Sequence, residues 1–124
     1  MTVKVIDASA LAALLFTEPA ADAVLNQIGA ASLAAPQLIQ YEIGNVCWKK
    51  CRRDASQAQA LVTAYAAMDN LDLHLHAVDG GEVLTLARQL ALTFYDASYV
   101  WLARTLDIPL ISLDARLLAS ARRH

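Results

Sequence analysis

The sequence predicts an α/β fold of three layers, with a mostly parallel central sheet and helices on both faces. Short apolar runs alternate with helical stretches along the whole chain, and strands separated by helices pair in parallel. The composition is that of a packed interior, with 124 residues, 57% hydrophobic and 18% charged, four glycines and three prolines. Residues 1–124 therefore read as one domain, large enough to bury a core unaided, and disorder is excluded.

Each element follows from a local pattern. Val3–Ile6 is a β-branched run halted by Asp7, and Ala8–Phe16 carries helix formers. Glu18–Ile28 reads as a helix, Ser32–Ala35 as a short strand, and Gln37–Arg53, which follows Pro36, as a long helix. Ala55–Asp69 is a further helix, Leu71–Val78 alternates as a strand, Gly81–Leu90 is helical, and Asp96–Leu106 lies on one more helix. Pro109–Leu113 repeats the opening pattern: an apolar run ended by Asp114 and followed by helical Ala115–Arg123. The longest uncharged run, Ala23 to Tyr41, is broken by Asn26, Gln27, Gly29, Ser32, Pro36, Gln37 and Gln40. It reads as helix, turn, strand and turn rather than as a membrane span. Asp7 interrupts any apolar export stretch near the amino terminus. Cys47 and Cys51, with no other cysteine and no histidine nearby, fit neither a disulfide framework nor a zinc site and are expected to be reduced thiols in the cytoplasm.

In an open parallel sheet the ligand crevice lies beyond the carboxyl ends of the strands, and Asp7 and Asp114 both occupy such ends. Asp7 also suits an N-cap. Glu42 sits within the apolar face formed by Leu38, Ile39, Ile43, Val46 and Cys47, so it needs a partner: a salt bridge, with Lys49 for example, a route to water, or a cation. Asp96 follows Thr93 at capping-box spacing, at the mouth of a helix whose Ala97, Val100, Trp101, Ala103 and Leu106 make it interior. Four acids about 6 Å apart would repel by about 15 kcal/mol in total, which rivals the stability of a domain. Protons or hard cations must relieve such a cluster, and all-oxygen ligation suits Mg²⁺ or Mn²⁺ and phosphoester chemistry. The net charge of −2 argues against a general nucleic-acid binder, but setting these four acids aside leaves ten basic residues against eight acidic ones.

Four segments carry a resemblance: Val5-Ile6-Asp7-Ala8-Ser9-Ala10-Leu11, Tyr41-Glu42-Ile43-Gly44-Asn45-Val46, Tyr95-Asp96-Ala97-Ser98-Tyr99 and Ile111-Ser112-Leu113-Asp114-Ala115-Arg116-Leu117. In that order and spacing they resemble the PIN-domain family, and within it the VapC-type endoribonuclease toxins of prokaryotic toxin-antitoxin pairs. The resemblance implies a PIN-like three-layer sandwich in which Asp7, Glu42, Asp96 and Asp114 ligate Mg²⁺ or Mn²⁺, with Ser9 and Ser112 supporting the carboxylates. It implies hydrolysis of RNA phosphodiesters by metal-activated water, leaving 5′-phosphate and 3′-hydroxyl ends. The implied partners are a second copy and a cognate VapB-like antitoxin that blocks the acidic groove. Ser112 stands where family members often carry Thr, and Arg116 where some carry a further acid or amide, which bears on a second metal site.

Lys49, Lys50, Arg52 and Arg53 end the long helix, and Arg116, Arg122 and Arg123 follow the last acid. They complement a helix dipole or hold RNA phosphates around the acids. His74 and His76 share one face of a strand and read as a surface pair, and His124 as a mobile terminal residue. Tyr41, Gly44, Trp48 and Cys51 form a second face of the long helix, expected to be covered by another subunit or partner. Two alternatives remain. One is a non-catalytic PIN-like module that binds RNA or protein. The other is a Mg²⁺-dependent phosphoacceptor domain, for which Asp7 lacks a paired acid and no lysine follows Lys50.

Overall fold

In the computed structural model, residues 2–122 are described; Met1, Arg123, at the end of the last expected helix, and His124, expected to be terminal and mobile, lie outside them. Four strands, β1 (Val3–Ile6), β2 (Ser32–Pro36), β3 (Leu73–His76) and β4 (Leu110–Ile111), form one sheet in the order β3-β2-β1-β4. All three pairings are parallel, so the sheet is wholly rather than mostly parallel. Among the described residues seven α-helices connect and follow the strands: α1 (Ala8–Leu15), α2 (Ala21–Ile28), α3 (Ile39–Arg53), α4 (Ala58–Ala66), α5 (Gly80–Leu90), α6 (Phe94–Leu106) and α7 (Ala115–Arg122).

The chain steps outward from β1 to β2 to β3, then returns past β1 to place β4 on the other side. Crossovers of one hand therefore put the helices before and after that reversal on opposite faces. The packing agrees. α1 lies on α2 and α3, and α3 on α4, whereas α6 lies on α5, α7 and strands β1, β2 and β4. With both faces covered, consecutive residues of a strand are buried, and Val5, Ile6, Ala34 and Ala35 have no exposed surface. The main core runs from these strands to Leu11, Ile39, Ile43, Tyr99, Val100 and Leu117, and Val83, Ala87 and Ala97 form a smaller cluster between α5 and α6.

Where elements differ from expectation, a local interaction decides. The strand expected over Leu71–Val78 is β3, Leu73–His76, because its partner β2 ends at Pro36, paired with His76. The amide of Gln37 donates to the His76 carbonyl, which keeps Gln37 on the strand side and delays α3 to Ile39. The helix expected over Ala55–Asp69 is α4 flanked by two 3₁₀ turns, Ala55–Gln57 and Ala67–Asn70, the first shaped by Asp54 accepting from the amide and hydroxyl of Ser56. Helix α2 begins at Ala21 rather than Glu18, since the Glu18 carbonyl closes a turn onto the Ala21 amide. Helix α6 begins at Phe94, two residues before Asp96, because the Thr93 hydroxyl accepts from the Asp96 amide and caps it. Strand β4 keeps two residues of the expected five, the extent over which Val5 and Ile6 face Leu110 and Ile111 before the chain turns at Asp7.

Gly29 ends α2 at φ 55° and ψ −126°, in a conformation open to glycine alone, although a Cβ there would meet nothing within 4 Å. Ala91 ends α5 in the left-handed region at φ 54° and ψ 44°. Gly29→Ala is expected to lower stability by about 1–2 kcal/mol through backbone strain alone, and Ala91→Gly to raise it by about 1 kcal/mol. Urea denaturation at unchanged m-value measures both, and equal stability of Gly29→Ala and the parent chain would contradict the strain.

Candidate active site

Each of the four acids sits at the amino end of a helix. Asp7 is the N-cap of α1, its Oδ1 accepting from the Ala10 amide at 3.0 Å. Glu42 lies in the first turn of α3 and Asp96 in the first turn of α6. Asp114 opens α7, its Oδ1 accepting from the amides of Arg116 at 2.9 Å and Leu117 at 3.3 Å. Unsatisfied amides and the helix dipole favour negative charge at all four places. For Asp7, capping and a place at the carboxyl end of β1 are therefore joint properties rather than alternatives. The sheet order reverses between β1 and β4, the two strands that lead into Asp7 and Asp114.

Asp7 is the most enclosed of the four, at 4% exposure. Ser9 Oγ donates to its Oδ1 at 2.7 Å and Ser112 Oγ to its Oδ2 at 2.5 Å, so each carboxylate oxygen holds a hydroxyl. Both serines also accept: Ser9 Oγ from the Leu113 amide at 3.1 Å and Ser112 Oγ from the Asp114 amide at 2.9 Å. This relay ties β1, α1 and the segment after β4 into one polar unit.

Glu42 is half-buried at the edge of the core, as one of the expected readings had it, and the side chain that partners it is not Lys49. Tyr99 donates its hydroxyl to Glu42 Oε1 at 2.7 Å from the buried face of α6. The wheel of α3 explains the geometry, since Ile39, Ile43 and Cys47 point into the core and hold Glu42 at its margin. Sequence reading missed Tyr99. The available signal was a tyrosine one turn beyond Asp96, flanked on the helix by the apolar Val100, Leu102 and Ala103, where a buried tyrosine needs an acceptor.

The electrostatics link the acids. Burial raises the pKa of Asp7 most, against the lowering influence of the Ser112, Ala10 and Ser9 hydrogen bonds, and the charge of Asp96 raises it further. Glu42 is likewise raised by burial first, lowered by the Tyr99 hydrogen bond, and raised by Asp96 and Asp7. Asp96 is raised by burial and by Asp114, and lowered by the Thr93 hydrogen bond and Arg116. The Tyr99 hydroxyl is pushed far up by burial and by the charges of Glu42, Asp7 and Asp96, and so stays protonated. Among the described residues no three carboxylate, imidazole or thiolate side chains close on one point as a ready metal cage.

The other expected residues are dispersed. Lys50 pairs with Glu18 at 2.8 Å and lies over the Phe16 ring, whereas Lys49, Arg52 and Arg53 are exposed. Arg116 is exposed, and its charge helps to lower the pKa of Asp96. His74 and His76 lie on β3, the strand at the opposite edge from β4, with His74 Nε2 3.4 Å from Asp72 Oδ1. The second face expected on the long helix is split. Gly44 packs under the Tyr65 ring and the Cys51 thiol lies against the Ala58 carbonyl of α4, whereas Tyr41 and Trp48 are exposed. Both cysteines are free thiols. Among the described residues no helix is long and apolar enough to cross a membrane.

The PIN domain profile matches residues 4–123. The chain belongs to the PIN-domain family. Its relatives place it with the VapC proteins of that family. It is 31% identical to Ribonuclease VapC3 of Pyrobaculum aerophilum over 118 residues, 91% of this chain and 90% of the relative. It is 30% identical to Exonuclease VapC9 of the same organism over 97 residues, 73% of this chain and 68% of the relative. The crystal structure of PAE2754 from Pyrobaculum aerophilum superposes at a TM-score of 0.78 and 31% identity, covering 98% of this chain and 86% of that one. The PIN-like sandwich expected from the sequence is the fold observed.

Because Asp7, Glu42 and Asp96 bind protons more tightly in the folded chain than in the unfolded one, folding takes up protons above the ordinary carboxylate range. The penalty is absent below the unfolded pKa values and complete above the raised folded ones, so metal-free stability falls as pH rises between them. Glu42→Gln keeps an acceptor for Tyr99 and removes a charge. It is expected to raise the metal-free melting temperature at neutral pH by about 3 °C and to flatten the pH dependence. Thermal melts in chelator across pH measure both, and a variant that melts lower than the parent at neutral pH would contradict the repulsion.

Proposed function

We propose that this PIN chain, acting as one domain in the cytoplasm, is a divalent-metal-dependent endoribonuclease of the toxin-antitoxin kind. The observation that carries the reading is that the Tyr99 hydroxyl, hydrogen-bonded to Glu42, also feels the charges of Asp7 and Asp96, while Asp96 feels that of Asp114. Similarity to a protein named a ribonuclease over nine tenths of the chain supports it.

The donor set fits Mg²⁺ or Mn²⁺. Asp7, Glu42, Asp96 and Asp114 offer oxygen alone, and an ion that retains several waters while taking one or two carboxylates directly does not require three acids closed on one point. A bound divalent ion supplies Lewis acidity to phosphodiester hydrolysis. The chain's own contribution is positional. Ser9 and Ser112 fix both oxygens of Asp7, and Tyr99 fixes one oxygen of Glu42 and keeps its own proton. The amides of α7 fix Asp114 through Oδ1. With carboxylates so restrained, little ordering is left for the moment of binding.

Exposed Lys49, Arg52, Arg53 and Arg116 hold RNA phosphates in this reading, and Lys50 contributes less because Glu18 neutralises it. The partners it implies are a VapB-like antitoxin that sets a cation against the acids and a second copy of the chain. Leu25, Val62 and Leu84, each more than half exposed, supply apolar surface outside α3 for such contacts.

Cleavage of a structured RNA and of a circular RNA with Mg²⁺ or Mn²⁺, after removal of any copurified antitoxin, tests the proposal. The wild type is expected to open the circle, which an exonuclease cannot do, and Asp7→Asn and Asp96→Asn to cut at least about a hundredfold more slowly. Equal cleavage by all three proteins would identify a contaminant and end the nuclease reading. A folded wild type that cuts nothing would instead favour a binding module.

A further inference from the structure

Tyr41, Asn45, Trp48 and Arg52 recur at three- and four-residue steps along α3 and form one outward stripe. Tyr41 is 75% exposed and Trp48 56%, and the Arg52 guanidinium lies 5.2 Å from the centroid of the Trp48 ring. Lys49 and Arg53 stand exposed on the flank nearer Glu42. The rest of the helix is engaged elsewhere: Ile39, Ile43 and Cys47 in the core, Gly44 under the Tyr65 ring, Cys51 against α4, and Lys50 on Glu18. The stripe begins beside the acids, since Tyr41 precedes Glu42, and ends in the basic last turn.

Charge decides what such a stripe can receive. Glu42 is the only acid of α3 and turns toward Tyr99, so the stripe carries cations alone. A second copy joined through it would bring two sets of Lys49, Arg52 and Arg53 into one contact with no acid of α3 to face them, an excess of like charge that a two-fold contact does not neutralise. An aliphatic partner would cover the rings and leave the cations unmatched. A nucleic-acid strand matches both, with flat bases for the rings and phosphates for the cations. Seven helical steps separate Tyr41 and Trp48 by roughly 10 Å along the axis. Bases stacked at the roughly 3.4 Å repeat of a duplex strand cannot sit one on each ring as neighbours, so the strand must be unpaired and splayed.

We propose that the stripe Tyr41-Asn45-Trp48-Arg52 of α3 is a track for single-stranded RNA leading to the acid centre. Bases stack on Tyr41 and Trp48, the latter sandwiched against Arg52, and phosphates lie on Lys49, Arg52 and Arg53. The role of the track as a feed to the acids rests on the nuclease reading; its binding chemistry does not.

The test is therefore a binding experiment with cutting suppressed. Fluorescein-labelled single-stranded RNA and a duplex of equal length are titrated with the full chain in EDTA and followed by anisotropy. Tyr41→Ala and Trp48→Ala, both at exposed positions, are each expected to weaken single-strand binding by about 5- to 100-fold while changing duplex binding less than about twofold. Arg52→Ala is expected to reduce the slope of log affinity on log salt by about one. Circular dichroism and melting confirm that each variant is folded. Single-strand affinity unchanged in Tyr41→Ala and Trp48→Ala would overturn the track, as would a dimer that Trp48→Ala converts to monomer by light scattering, which assigns the stripe to a second copy. Variants that bind and cut like the wild type sink the track and leave the nuclease standing. Stripe-dependent binding by a wild type that never cuts with Mg²⁺ supports the track and sinks the nuclease.

Discussion

Repulsion among carboxylates gathered at one edge of a parallel sheet is the constraint that the surrounding architecture answers. Asp7, Glu42, Asp96 and Asp114 each stand where a helix begins, and four helix amino ends oppose their charge. Hydroxyls answer the rest, from Ser9 and Ser112 on Asp7 and from Tyr99 on Glu42. Even so, burial and mutual charge leave three of the four holding protons more tightly than free carboxylates do. The folded chain thus retains an affinity for positive charge that its own side chains do not exhaust.

The parallel topology makes this arrangement economical in chain length. Every β-to-α junction lies at the same sheet edge, so Asp7 and Glu42 arrive there by connectivity alone. Helix α6 follows another helix and reaches that edge through packing instead. It lies against β1, β2 and β4, and its Tyr99 spans to α3. Asp96 is thereby positioned by the core as a whole, whereas Asp7 and Asp114 are positioned by hydrogen bonds local to the β1 and β4 ends.

Much of this was legible in the sequence because periodicity and punctuation were consistent. Val3–Ile6 ending at Asp7 and the capping pair Thr93 and Asp96 each fold as their local pattern dictates. What was not legible depends on contacts distant in sequence. Tyr99 finds Glu42 across 57 positions, and nothing near either residue specifies that pair. The length of β4 is set by where β1 turns, and the end of β3 by where β2 stops. Sequence adjacency groups Lys50 with its basic neighbours, but Glu18, 32 positions earlier, takes up its charge. The two faces of α3 were identified as apolar, whereas the division of the outer one between α4 and exposed surface required the path of the chain after Arg53.

The hydrogen bond from Ser112 to Asp7 spans 105 positions and depends on a strand of two residues, Leu110 and Ile111. During synthesis β1, β2, β3 and most of the helices are made before that strand exists. A nascent chain therefore carries Asp7 with one oxygen still lacking its hydroxyl, and it lacks Asp114 altogether. The centre is completed only once residues 110–114 have been made and have docked beside β1. Any chemistry it performs is withheld until the polypeptide has advanced that far through translation.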